Sequence, residues 1–352
     1  MVKFYFNSKI VFNFRMITHK GRDVLRIFSF CNLSILFLLV ILNSIFFASY
    51  FSYSTTIDDN ILIKALNFKF VKIISPQADM LNSTQIFQPE GIITDIQGNL
   101  YVNDIQTDEI KKYDKNGNFI TAWRNLTINN YSLNHPHSSE IDKYGNFYLT
   151  DQNNRRTIVL SDNGTIINTW GNDPKGETHF LHPHGIAIDS MGNVFVSDRD
   201  LDNIQKFSNN GTFIDSWGGS GSGPGQFDMP WDVAVDEQDN VYVPDYGNNR
   251  IQIFSNNGTF LTQWGSEGAD AGEFNHPAVI AFDSLQNVYV TDSDNHRVQL
   301  FSKNGTYISE FGSEGMGIGQ FAKPESITIG PRDEVYVADT VNNNVQLFVP
   351  IT

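Results

Sequence analysis

From residue 68 to residue 350, hydrophobic and polar positions alternate in short runs, each ended by a turn that carries Gly, Asn or Asp. The stretch Pro230 to Gly265 shows the pattern once through. Val241, Val243 and Asp245 fall on one side of an extended chain and Tyr242 and Pro244 on the other, the two-residue period of a pleated strand. The alternation predicts strand a over Asp232 to Asp236, a turn at Gln238 to Asn240 and strand b over Val241 to Asp245. Strand c then covers Ile251 to Ser255, Asn256 to Gly258 is a tight turn, and strand d covers Thr259 to Trp264. Asn-Gly turns between such runs supply the positive backbone angles that a hairpin needs.

The unit is repeated: Pro89, Pro136, Pro183, Pro230, Pro277 and Pro324 recur every 47 residues. Six residues after the proline stands Asp95, Asp142, Asp189, Asp236 or Asp283, with Gly330 in the last copy. Twelve after it comes an aromatic (Tyr101, Tyr148, Phe195, Tyr242, Tyr289, Tyr336), and fifteen after it an aspartate in every copy, Asp104, Asp151, Asp198, Asp245, Asp292 and Asp339. Thirty-four after it are Trp123, Trp170, Trp217 and Trp264, then Phe311. A period of about 40 to 50 residues holds four short strands with their turns, one blade of a propeller. The chain is therefore expected to be all-β, a six-bladed β-propeller of four-stranded blades. The sixth copy stops after its third strand, Val345 to Phe348, so the strand-like run Phe68 to Ile74 is expected to complete that blade and close the ring.

Ahead of the ring the composition changes. Residues 1–26 are a basic segment, 27–53 are almost uncharged and rich in Leu, Ile and Phe, 54–67 form a linker, and 68–352 are the propeller. The apolar stretch, with Arg22 and Arg26 before it, is expected to be a transmembrane anchor or a signal peptide whose basic flank stays in the cytoplasm. Phe47-Ala48-Ser49-Tyr50 is a poor small-x-small cleavage site, which favours the anchor. Either way the propeller is expected outside the cytoplasm, membrane-anchored or secreted. The single cysteine, Cys31, lies in that segment, so no disulfide braces the blades.

The chain carries 24 basic and 39 acidic residues, and beyond residue 53 the balance is 18 against 38. Nucleic acid is not an expected partner of so acidic a ring. Asn163-Gly164-Thr165, Asn210-Gly211-Thr212, Asn257-Gly258-Thr259 and Asn304-Gly305-Thr306 fit the N-glycosylation pattern, as do Asn82-Ser83-Thr84 and Asn125-Leu126-Thr127. The first four also suit the turn between strands c and d on steric grounds alone, so the sequence leaves both readings open.

Gly185 to Asp189, Gly192 to Asp198, Asn249-Arg250-Ile251-Gln252 and the closing Trp264-Gly265 resemble the NHL repeat family over about residues 68 to 350. The resemblance implies the propeller fold. That family includes scaffolds for protein or RNA as well as a few enzymes, so it does not choose a function.

Positions filled identically in every blade serve the blade, because a ligand sees the ring from one side and needs different groups from different blades. The six aspartates closing strand b are thus expected to hold the following loop, the tryptophans to pack between blades, and Arg250 and Arg297 to brace their loops. The column after the proline varies instead: Glu90, His137, His184, Trp231, Ala278 and Glu325. These side chains are expected to converge at the mouth of the central channel. Glu325, Glu90, His137 and His184 come from consecutive blades and are a candidate ligand set for a divalent metal, zinc or else iron or manganese. Trp231 and Tyr246 are expected opposite them as a wall for a bound ligand, with Arg199 placed to receive an anion.

Pro136-His137-Ser138 and Pro183-His184-Gly185 are similar to the triplets that carry zinc-binding histidines in peptidyl-hydroxyglycine lyases, which implies zinc on His137 and His184. That family takes three histidines from non-neighbouring blades, whereas this chain has two from adjacent ones. Glu90-Gly91 is also similar to the metal-binding glutamate of gluconolactonase-like propellers. The leading expectation is an extracytoplasmic binding module for a protein, glycan or small molecule acting through the channel mouth. The alternative is a metal-dependent lyase or hydrolase at His137, His184, Glu90 and Glu325.

Overall fold

The computed structural model describes residues 2–6, 10–14, 17–19, 22–24, 68–74, 84–124, 126–128, 131–171 and 179–350. It divides into two units, residues 1–57 and 58–352. In the first, Val2–Phe6 pairs with Ile10–Phe14 and Ile17–His19 with Arg22–Val24, each antiparallel. The apolar stretch 27–53, the linker 54–67, Asn82 and Asn125 lie outside the described residues. Among the described residues no helix is long and apolar enough to cross a membrane.

The second unit is a six-bladed propeller of four-stranded antiparallel blades. Blade one is Pro89–Thr94, Leu100–Asp104, Glu109–Tyr113 and Phe119–Trp123; blade two is Pro136–Ile141, Phe147–Asp151, Arg156–Leu160 and Ile166–Trp170. Blade three is Pro183–Ile188, Val194–Asp198, Asn203–Phe207 and Phe213–Gly218; blade four is Ala234–Val235, Val241–Asp245, Arg250–Phe254 and Phe260–Trp264. Blade five is Pro277–Phe282, Val288–Asp292, Arg297–Phe301 and Tyr307–Phe311. Blade six is Pro324–Ile329, Val335–Asp339 and Asn344–Pro350, with Phe68–Ile74 paired antiparallel on its outer edge as the sequence led us to expect.

Strand a of blade four departs from the reading. It shrinks to Ala234–Val235, with only an isolated bridge from Pro230 to Asp245 beyond it. Its partner strand carries Pro244, which has no N–H to give the ladder. Asp232 accepts the backbone N–H of Ile280 in blade five at 3.3 Å, as Ser326 in the full-length inner strand of blade six accepts that of Ile92 at 3.2 Å.

The alternation in strand b also means something other than inside against outside, for every residue of Val241–Asp245 is buried. One face, Val241 and Val243, packs with Ala187 and Phe195 of blade three and with Phe227 of the loop that leads into blade four, while Tyr242 packs with Phe274 and Ile280 of blade five. Each blade is thus a slab in a radial stack, and the core is the set of interfaces between slabs. The tryptophans fill those interfaces: Trp123 stands edge-on to Phe147 at 5.3 Å, and Trp217 lies 6.0 Å from Phe254. A methyl group on Gly164 or Gly258 would lie under 3 Å from those indoles, so the following blade must present glycine there.

The aspartates closing strand b are fully buried. Asp245 accepts the N–H of Asp228 at 2.8 Å, and Asp104 that of Phe87 at 2.8 Å. They therefore fasten chiefly the loop before strand a, not only the loop after strand b. Arg250 braces Asp245 at 2.7 Å and Arg297 braces Asp292 at 2.8 Å, as anticipated. In blade one Lys111 takes that part, 2.6 Å from Asp104.

Candidate functional site

Outside blade four, strand a opens with the proline at a ladder position and then shifts register, in blades two, three and five between the proline and the third residue after it. The residue after the proline is left out of the ladder, as a bulge allows. Its carbonyl is instead caught by the neighbouring blade. Asn103 Nδ2 donates to the His137 carbonyl at 3.0 Å, Thr150 Oγ1 to that of His184 at 2.8 Å, and Ser197 Oγ to that of Trp231 at 3.4 Å. Gly91 permits this closeness, since a Cβ there would sit 2.0 Å from the His137 carbonyl oxygen.

Four of these side chains form a continuous series. Glu90 Oε2 lies 3.0 Å from His137 Nε2 and 3.2 Å from His135 Nε2. The His137 and His184 rings are 3.5 Å apart between centroids, and His184 is 4.1 Å from the Trp231 ring. Trp231 stacks on Tyr246 at 4.2 Å, and Tyr246 on His276 at 4.3 Å. Trp231 and Tyr246 therefore extend the row of imidazoles instead of facing it, because blade four is the immediate neighbour of blade three. Arg199 lies over Trp231, its Cζ 5.5 Å from the ring, with Nε 3.2 Å from Asp200 and Nη2 3.1 Å from His182 Nδ1. Glu325 forms an ion pair with Lys323. Ala278 is buried and contributes no polar group.

The electrostatics follow from burial and these contacts. Burial alone would raise the Glu90 carboxyl, but the hydrogen bonds from His135 and His137 outweigh it and hold Glu90 far below the usual carboxylate range. Burial, and then the charge of Glu90, raise Glu325. Burial pushes the His184 imidazole well below its ordinary value, so the ring is neutral near pH 7. A carbonyl can only accept, so His184 Nδ1, 2.5 Å from the Trp231 oxygen, carries the proton and Nε2 the lone pair. By the same argument His137 donates through Nε2 to Glu90, which leaves its buried Nδ1 without a partner.

His135, His276 and Lys323 join the site although nothing in the sequence reading singled them out for function. They belong to the column before the proline, Gln88, His135, His182, Met229, His276 and Lys323, which breaks the repeat as plainly as the column after it. On the same face, at the junction of blades six and one, Phe87, Gln88, Gln106, Thr107 and Asn343 line a cavity of about 430 Å³. Among the described residues no group of three or more His, Cys, Asp or Glu side chains is arranged to hold a metal ion.

The NHL repeat family profile matches residues 180–207, 227–254 and 274–301, in blades three, four and five. No curated protein sequence matches the chain. Among solved structures, a streptogramin B lyase is similar at 13% identity with a TM-score of 0.58, over 80% of this chain and 97% of that one. A catalytically inactive virginiamycin B lyase from Staphylococcus aureus with quinupristin is similar at 12% identity with a TM-score of 0.56, over 80% and 99%. A protein of unknown function from Bacteroides thetaiotaomicron is similar at 14% identity with a TM-score of 0.62, over 80% and 76%. Likeness at this identity establishes architecture alone. With the repeat matched in three blades and four-stranded sheets in all six, the chain is a six-bladed β-propeller carrying NHL repeats.

Proposed function

We propose that the protein is a binding module outside the cytoplasm, which takes its ligand at the channel mouth on the stacked row His137, His184, Trp231, Tyr246 and His276. The observation that carries this reading is the stacking itself. Five rings from blades two to five form one strip, flanked at Trp231 by Arg199 and beyond Tyr246 by Lys323 and Asp294. Rings stacked in this way present mainly their edges, with Trp231 and His276 partly exposed among the charged groups, which suits a ligand with a weakly polar surface and ionic or hydroxyl groups, such as a sugar ring or the side chains of a protein segment.

The test is a screen of the propeller against glycan and peptide arrays, repeated with Trp231→Ala and Arg199→Ala. Hits lost by both variants support the mouth as the binding surface. Hits unaffected by either place recognition elsewhere.

A second reading, a metal-dependent lyase or hydrolase, is favoured by one observation. His137 gives its N–H to a carboxylate and His184 gives its N–H to a carbonyl, the outer partners that metal-binding imidazoles use, and among the described residues the second nitrogen of each has no hydrogen-bond partner. His137 Nδ1 and His184 Nε2 would hold a divalent ion such as zinc, which when bound acidifies water. Glu90 would then support a ligand from behind, and Glu325 would have to leave Lys323 to join. Metal analysis of the purified chain beside His137→Ala/His184→Ala separates the readings. Stoichiometric metal that vanishes in the variant favours the enzyme, and metal-free, fully folded protein rules for the binder.

A further inference from the structure

Four equivalent turns between strands c and d share one pattern, Ser161 to Thr165, Ser208 to Thr212, Ser255 to Thr259 and Ser302 to Thr306. We infer that Asn163, Asn210, Asn257 and Asn304 in these turns are acceptor sites for N-linked glycans, carried by blades two to five on the side away from the mouth. The inference rests on the extracytoplasmic placement proposed above.

The turns use the amide oxygen and leave the nitrogen over. Asn163 Oδ1 accepts from Ser161 Oγ at 2.6 Å and Thr165 N at 3.1 Å. Asn210 Oδ1 accepts from Ser208 Oγ at 2.6 Å, Thr212 N at 3.2 Å and Thr212 Oγ1 at 2.9 Å. Asn257 Oδ1 accepts from Ser255 Oγ at 2.5 Å, Thr259 N at 3.4 Å and Thr259 Oγ1 at 3.0 Å. Among the described residues, Nδ2 of these three donates no hydrogen bond, and all four asparagines are exposed. A sugar on that nitrogen would break no contact of the fold. The next residue holds the turn still: a Cβ on Gly211 would lie 2.7 Å from the Trp170 ring, so the backbone rests directly on the indole of the preceding blade.

Blade one shows that the turn itself does not call for this pattern. There Asp114 Oδ1 accepts the N–H groups of Asn116 and Asn118, both at 2.8 Å, and Gly117 N donates to the Asp114 carbonyl at 2.7 Å. The corresponding bond from Gly211 N to the Ser208 carbonyl is 2.9 Å. The same closure is thus reached with no Thr two residues after Asn, and the acceptor pattern in the other four blades is additional to what the backbone needs.

These turns also sit clear of the binding face. Asn256 Nδ2 reaches Asp189 Oδ2 at 3.0 Å and Tyr242 OH reaches the Lys303 carbonyl at 3.4 Å, which places them beside the turns joining strands a and b. The mouth is built from the opposite ends of the strands. In the modification Nδ2 would bond to C1 of the first sugar of a polyprenyl-pyrophosphate oligosaccharide. The C1–O bond to pyrophosphate breaks, its electron pair leaves with the pyrophosphate, and Nδ2 loses one proton.

The experiment is peptide mass spectrometry of the full chain produced in a host that N-glycosylates exported proteins, before and after enzymatic glycan release in heavy-oxygen water. Protease accessibility on intact cells scores export separately. Sugar-bearing peptides should cover the four asparagines, and Thr212→Ala should lose sugar from Asn210 alone while Thr212→Ser keeps it. Thermal unfolding of both variants controls for folding. Exported, accessible protein with all four asparagines unmodified overturns the inference while leaving the placement standing. Label at Asn210 that persists in Thr212→Ala overturns it as well, by pointing to spontaneous deamidation. Protein retained in the cytoplasm overturns the placement and the inference together.

Discussion

Thr150 Oγ1 donates to the carbonyl oxygen of His184 at 2.8 Å, so a hydroxyl in the second strand of blade two holds the backbone of a mouth residue in blade three. The same hydroxyl accepts the N–H of Ser138 at 2.9 Å, and it is fully buried. Thr150→Val keeps the volume and removes both bonds, leaving the carbonyl unpaired. It is expected to cost about 1–3 kcal/mol in denaturant unfolding and to weaken any ligand that depends on Trp231. Thr150→Ser should restore most of both. A Thr150→Val variant as stable as the parent, with the loss falling on Thr150→Ser instead, would show that the methyl packing matters and the clasp does not.

Arg250 is the hub of the fourth blade's loop. Besides Asp245 it reaches the carbonyls of Ser222 at 2.7 Å, Gly223 at 2.9 Å and Gln226 at 3.0 Å, and the Gln263 amide oxygen at 3.0 Å. Arg250→Ala strands Asp245 as a buried charge and is expected to destabilise the ring by about 3–5 kcal/mol. Arg250→Ala together with Asp245→Ala should cost less than the two single losses added. Additive costs in that double-mutant cycle would deny the pair its coupling.

The architecture was legible because symmetry multiplies a weak signal. One alternating pentapeptide could be many things, but Pro89 to Pro324 at a fixed interval, with a missing fourth strand at one end and a spare one at the other, leaves little choice. The site was legible only in part. Glu90, His137 and His184 could be picked out because they break the repeat, but their mutual order depends on which nitrogen of each imidazole is already bonded, and a sequence does not record that. Trp231 was assigned to the wrong side because column reasoning ignores that consecutive blades touch. His276 precedes its proline in a loop and carries no signal of its own in the sequence, although that loop ends where Tyr246 needs a stacking partner. Pro244, seen only as part of an alternating run, in fact shortens the inner strand opposite it.

Phe68–Ile74 is the outer strand of blade six and seals the ring: Phe68 packs 4.9 Å from Phe311 of blade five, and Ile74 is buried with Tyr336 and Val345. A chain beginning after residue 74 would leave strand c of blade six as an open edge and the ring contacts of Phe68 with Tyr289 and Phe311 and of Phe70 with Phe348 unmade. It should express as aggregate, or with a much lower unfolding midpoint, and supplying a peptide of residues 68–74 in trans should raise that midpoint in proportion to its concentration. A truncated chain as stable as the parent would show that closure rests on contacts between blades and not on this strand.

Two acids, Glu140 on the inner strand of blade two and Asp232 just ahead of that of blade four, set a pH dependence opposite to that of ordinary surface carboxylates. Burial pushes both up to about 7, and the charge of Glu140 adds to the rise in Asp232. In the unfolded chain both titrate near 4, so between about pH 4 and 7 the folded protein holds protons that the unfolded chain has released. Their contribution is therefore most favourable at the acid end and is lost as pH climbs towards 7. Glu90 works the other way, stabilising above its unfolded value and losing that benefit only in strong acid, as pH falls through its depressed folded value. Glu140→Gln and Asp232→Asn are each expected to gain stability relative to the parent at pH 8 and to show little difference at pH 4.5. Chemical denaturation at the two pH values decides the matter. A gap between variant and parent that stays constant with pH would mean that both acids are ionised throughout and that the interior of the ring is wetter than their burial implies.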